Sequence, residues 1–184
     1  MRVRPLIGAI ALCASSTGAA CAAVAVIADT SAASCSRAAL DKRADDASLQ
    51  SCNQAIEQGA LNRADLTRTY VNRGAVLMNR HDYDGARADL ERAIQLDPSV
   101  GDAWMNRGAI AIVQRRYADG IADTTKALAL GVSEPAKAYF NRAVADEGVD
   151  DEKSAYLDYQ QALVLKPDWE APKHELMRFT VTHR

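Results

Sequence analysis

The segment Tyr70-Val71-Asn72-Arg73-Gly74-Ala75-Val76 returns 34 residues later as Trp104-Met105-Asn106-Arg107-Gly108-Ala109-Ile110. It returns again, 35 residues further on, as Tyr139-Phe140-Asn141-Arg142-Ala143-Val144-Ala145. The same offsets carry Asp89 to Asp123 and Asp158, Ala93 to Ala127 and Ala162, and Leu96 to Leu130 and Leu165. A period of this length, kept at so many columns, means one supersecondary unit used three times. A single unit of that size cannot bury its apolar face alone, so the units must stack on one another.

Spacing within each unit is helical. Tyr70, Arg73, Gly74 and Leu77 fall on one helix face, and Ala86, Leu90, Ala93 and Ile94 fall on another. Glycine inside a helix costs ~1 kcal/mol relative to alanine, so Gly74 and Gly108 need a packing reason, and close helix crossing supplies one. Asp97-Pro98 and Lys166-Pro167 are expected to stop the second helices, because proline lacks the N–H donor and restricts its predecessor. Aromatic residues make up only 5% of the chain, which suits closely packed helices better than sheets.

This pattern resembles the tetratricopeptide repeat family. The aromatic column is Tyr70, Trp104 and Tyr139, and the small crossing column is Gly74, Gly108 and Ala143. Small second-helix residues are Ala86, Gly120 and Ala155, then Ala93, Ala127 and Ala162. The terminal proline appears as Pro98 and Pro167, with Val132 in its place in the middle unit. The resemblance implies an all-α, short right-handed solenoid of three helix pairs, about 67–100, 101–134 and 136–169 within 62–169. Residues 29–61 are expected to form an N-terminal helical hairpin, and Glu170 to Val181, within 170–184, a capping helix. That helix would cover the last pair with Leu176, Met177 and Phe179 and show Lys173, His174 and Arg178 to water.

The N-terminus reads as an export signal. Arg2 and Arg4 precede an uncharged stretch that lasts until Asp29, with small residues toward its end. Cleavage after Ala28, Ala23 or Ala20 fits this order, and Ala28 is preferred, giving a leader of 1–28. Retention as a membrane anchor and lipidation at Cys21 are the alternatives. Removal of 1–28 takes away two arginines, leaving 20 basic residues against 24 acidic ones. Such a chain has no basic field for nucleic acid and no further segment for membrane insertion. Export to the periplasm or the exterior makes Cys35 and Cys52 a candidate disulfide, since residues equidistant from the 40–46 turn lie side by side in an antiparallel pair.

The arginine column Arg73, Arg107 and Arg142 is matched, always sixteen residues later, by Asp89, Asp123 and Asp158. A guanidinium fork suits a carboxylate, so structural ion pairs are expected, within one repeat or between neighbours. The family resemblance implies that first helices line a concave groove. Carried over by column, its wall is Val71, Met105 and Phe140, then Ala75, Ala109 and Val144, then Met78, Ile112 and Glu147. Arg68, Asp102 and Lys137 form a mixed-charge rim. The groove is read as lacking the repeated lysine and asparagine positions with which some relatives clamp a chain-terminal carboxylate.

Asp146, Glu147, Asp150, Asp151 and Glu152 gather around Gly148. Their spacing does not match a calcium loop, and they read as a solvated acidic turn, with no metal or cofactor expected. His81, His174 and His183 have no nucleophile or acid at a recognised spacing, and no HExxH, GxSxG or phosphate-cradling loop occurs. The expectation is a non-enzymatic module that binds a protein or peptide. The alternative is a structural subunit that self-assembles through its end caps.

Overall fold

The computed structural model describes residues 30–58 and 61–179. Among them are nine helices and no strand, an all-α helical-repeat fold. The leader, both alternative fates of it, and His183 lie outside the described residues. Helix α1 (30–40) and α2 (Asp46–Glu57) form the N-terminal hairpin. Three further pairs follow: α3 (Arg63–Asn79) with α4 (Tyr83–Leu96), α5 (Gly101–Val113) with α6 (Tyr117–Leu130), and α7 (Pro135–Glu147) with α8 (Glu152–Leu165). The short α9 (Glu170–Leu176) closes the array.

Local chemistry sets these boundaries. Asp45, Asn62, Asp82 and Asp151 each cap a helix, accepting a hydrogen bond from the backbone N–H three residues on. Each cap removes one otherwise orphaned donor. Pro135 opens α7, where its missing N–H costs nothing. The second helices α4 and α8 end one residue before Asp97-Pro98 and Lys166-Pro167. The middle unit lacks that proline and stops at Gly131, whose φ of +86° a side chain would not tolerate well. Lys42, His81, Arg115 and Asp150 turn the chain between paired helices with positive φ, so the same left-handed step is used in all four hairpins.

The small crossing column explains how the helices touch. A Cβ on Gly74 would lie 3.1 Å from Leu90 Cγ, and one on Gly108 would lie 2.8 Å from Thr124 Oγ1. Ala143 packs in one buried cluster with Ala155 and Tyr159. Each crossing residue therefore meets the residue sixteen positions later, Leu90, Thr124 or Tyr159, in its own repeat. Tyr159 is the bulkiest of the three partners, and Ala143 fits beside it because Tyr159 directs its ring toward Phe140 and Phe179. Leu90 is fully buried, which is worth ~2 kcal/mol over exposure.

Two features differ from the sequence reading of the C-terminus. Helix α9 ends at Leu176 and not at Val181, and Met177 is 76% exposed instead of covering the last pair. The cause lies in the next two residues. Arg178 reaches back to both oxygens of Glu147, at 2.8 and 2.9 Å, and Phe179 packs against Tyr156 and Tyr159. Holding both side chains pulls the backbone off the helix axis. Pro172, in the first turn, is buried.

Candidate functional site

Residues of the four first helices, α1, α3, α5 and α7, line one cavity of about 230 Å3 on the face that is concave in such a stack. Of the expected groove residues, Val71, Ala75, Asp102, Met105 and Lys137 line it. Asp102 is engaged as well, accepting hydrogen bonds from Ser133 N at 3.0 Å and Ser133 Oγ at 2.9 Å. That pair ties the start of α5 to the loop before α7 and fixes one lip of the cavity. Lys137 also lines the cavity, paired with Glu134 at 2.7 Å.

Other expected positions lie elsewhere. Phe140 is packed between Tyr159 and Trp169, with ring centroids 5.4 and 4.9 Å away, so the end of the array covers it. Val144 joins it against the core of the last pair. Ile112 sits over Gly120, on the α5–α6 crossing. Met78 packs against the core of the first pair. Ala109 does not line the cavity, and Glu147 is drawn to the far end by Tyr159 and Arg178. Arg68 lines a separate, smaller cleft near α1 and pairs with Asp65. Met105 lines the wall but is only 9% exposed.

The groove also contains residues the sequence reading did not assign to it. Asn72 and Asn106, one repeat apart, line the cavity. The first-helix periodicity held that signal in plain view, one position after the Val71 and Met105 column. From the N-terminal hairpin come Ala39, Leu40 and Lys42. Leu40 is 80% exposed, an unusual state for a leucine beside a concave wall. No single-repeat column predicts this contribution, because the hairpin does not share the repeat's register.

Beneath the groove runs an ion-pair ladder. Arg73 donates Nε and Nη2 to the two oxygens of Asp89, both at 2.7 Å, and Nη1 to Asn53 of the preceding hairpin at 2.9 Å. Arg107 and Asp123 repeat the two-pronged contact at 2.7 and 2.7 Å, and Arg142 and Asp158 at 2.6 and 2.9 Å. All three pairs are formed within one repeat. Each guanidinium also faces the aromatic ring three residues earlier, Tyr70, Trp104 or Tyr139, at 5.6, 4.7 and 5.4 Å from the centroid. The bonded carboxylates raise the affinity of all three arginines for their protons. With Nε and Nη2 of every rung occupied, these arginines act as braces between first and second helices.

Cys35 and Cys52 are bonded across the N-terminal hairpin, with a Cα separation of 4.7 Å, and both side chains are fully buried. The bond joins the middles of α1 and α2, so it holds the wall that carries Ala39 and Leu40. The acidic turn departs from its expected character at one residue. Asp146 is not solvated but 6% exposed, and burial next to Asp158 raises its carboxyl to a pKa of about 6. Among the described residues no cluster of three or more His, Cys, Asp or Glu side chains is placed to hold a metal ion, and no helix is long and apolar enough to cross a membrane.

The family model of the tetratricopeptide repeat matches residues 67–100, the unit formed by α3, α4 and the turn that follows. That unit is a tetratricopeptide repeat. It is 28% identical over 109 residues to human serine/threonine-protein phosphatase 5, covering 59% of this chain and 21% of that protein. It thus spans about a fifth of the length of the curated relatives it matches. Among solved structures, MamA from Desulfovibrio magneticus superposes with a TM-score of 0.65 at 19% identity, over 82% of this chain and 81% of that one. The first tetratricopeptide-repeat domain of Spaghetti, solved bound to an HSP90 peptide, superposes at 0.58 and 23% identity, over 61% of this chain and 89% of that one. The tetratricopeptide fold is a protein-interaction scaffold, and this chain is built as one.

Proposed function

We propose that the protein is a non-catalytic interaction module of the cell envelope, and that a protein or peptide partner binds along the α1, α3, α5 and α7 face. The observation that carries this reading is the cavity shared by all four first helices, where Val71, Ala75 and Met105 supply apolar wall and Asn72 and Asn106 supply amide groups. An extended chain can satisfy those amides through its own backbone while its side chains meet the apolar wall. Exposed Leu40 at one lip, and Asp102 hydrogen-bonded to Ser133 with Lys137 ion-paired to Glu134 at the other, give the occupant a direction.

Location outside the cytoplasm is supported by the basic, uncharged, then small-residue order of residues 1–28 and by the pairing of Cys35 with Cys52. A photoreactive amino acid at Asn106, in intact cells, tests partner and face together. Met105 is too buried for this purpose. An adduct at Asn106 and none at exposed Lys126 on α6 supports the groove, whereas adducts at Lys126 alone move the binding face to the second helices. Fractionation of the same cells reads the location.

A further inference from the structure

The opposite face carries a larger cavity, about 490 Å3, between α6 and α8 with the end of α7 as its floor. It has a counterpart one repeat earlier, between α4 and α6, whose lining residues match it column by column. The two differ in chemistry. The floor residue is Asp146 here and Ala111 there, and Leu77 holds the same column in the first repeat. The fold therefore accepts an apolar residue at that point and does not need a carboxylate.

Asp146 is 6% exposed and lines the cavity, and among the described residues its carboxylate makes neither a hydrogen bond nor an ion pair. Its oxygens meet solvent only through the cavity, a poorly hydrated position in which the charged form favours a compensating group. The nearest cation cannot supply it. Arg142 spends Nε and Nη2 on Asp158 and points Nη1 at Thr125, 3.2 Å away. Asp151, on the rim, is turned toward Ser154, which donates N–H and hydroxyl to it. The pocket thus holds three carboxylates against one guanidinium, while its counterpart is balanced, with Arg116 where Asp151 stands. Its mouth is apolar: Ile121 replaces Arg87, Leu157 replaces Ala122, and Leu157 is exposed.

We propose that this pocket is a second contact site, on the face away from the groove, and that it receives a lysine or arginine side chain of a partner protein. The aliphatic stem lies against Ile121, Val149 and Leu157, and the cationic head meets Asp146. A metal ion does not suit the site, because among the described residues no donor set is placed for one. An anion would face the three carboxylates.

The proposal is tested by nuclear magnetic resonance on the isotope-labelled protein, titrated with the N-acetyl methylamides of lysine, arginine and norleucine. Either cation should produce saturable shifts at Asp146, Val149 and Leu157, norleucine should produce none, and the groove residues should stay unmoved. A bound cation should also lower the titration midpoint of Asp146 by a unit or more. Asp146→Ala, which installs the residue of the matching pocket, should weaken binding at least tenfold with the remaining spectrum intact, and Asp146→Asn should do the same. Absence of saturable shifts with both cations, equal binding by norleucine, or unchanged affinity in Asp146→Ala would each overturn it.

Discussion

Arg107 and Asp123 meet with two hydrogen bonds of 2.7 Å each, and the guanidinium of that pair lies 4.7 Å from the ring centroid of Trp104. Both carboxylate oxygens are spoken for, and Asp123 is largely shielded from water. Replacing Asp123 by Ala leaves a guanidinium half-buried between helices without its counter-charge. The expected loss is ~2–4 kcal/mol in urea unfolding. Arg107→Met together with Asp123→Ala should recover part of it, since no unpaired charge remains. If the single and double variants are equally stable, the pair is not the brace described above.

Two glycines should respond differently to an added methyl group. At Gly74 the new Cβ meets the side chain of Leu90 at 3.1 Å, which can give, and alanine favours the helix, so Gly74→Ala should lie within ~1 kcal/mol of the parent. At Gly101 the methyl would overlap the carbonyl oxygen of Gly131, which is backbone and cannot turn away. Gly101→Ala should cost ~2 kcal/mol or more and lower the melting temperature accordingly.

Asp146 makes stability depend on pH in an unusual direction. Its carboxyl is raised to about 6 by burial and by Asp158 and Asp151, against the opposing pull of Arg142, while α6 turns only uncharged Ile121 and Thr125 toward it. The folded state then holds the proton more tightly than the unfolded state, where the group ionises near 4. Stability from this residue is greatest below pH ~4 and declines as the pH rises to ~6, a loss of ~2–3 kcal/mol. Asp146→Asn should remove that slope, as read by the denaturation midpoint across pH 4–7. A parallel slope in the variant would contradict the assignment.

Reduction should act on one end of the array. The Cys35–Cys52 bond closes a loop with a sequence separation of 17, worth ~3 kcal/mol in the chain-entropy view. Cys35→Ala with Cys52→Ala should therefore loosen α1 and α2 and increase hydrogen exchange there, with α5 to α8 little changed. Uniform loosening along the chain would mean that the hairpin and the repeats unfold as one unit.

The 34- and 35-residue offsets make the repeat legible in the sequence, since each column demands one residue type for one packing role. Small residues at Gly74 and Gly108 and the arginine–aspartate spacing of sixteen lead directly to the crossings and the ladder. Where the array ends, the columns lose their meaning. Phe140 occupies the column of Val71 and Met105, but Trp169 follows the last repeat and covers it. Leu40 lies outside any repeat and still forms part of the groove. Asp146 looked like part of an exposed turn because four other acids surround it in sequence. Only the last turn of α7, packed under α8, reveals that it faces inward.

Hydrogen exchange of the protein alone and with the partner captured through Asn106 tests the groove most directly. The account requires slowed exchange along 71–75 and 102–106, where first helices would contact the bound segment. Protection restricted to α4, α6 and α8, with 71–75 and 102–106 unchanged, would contradict it.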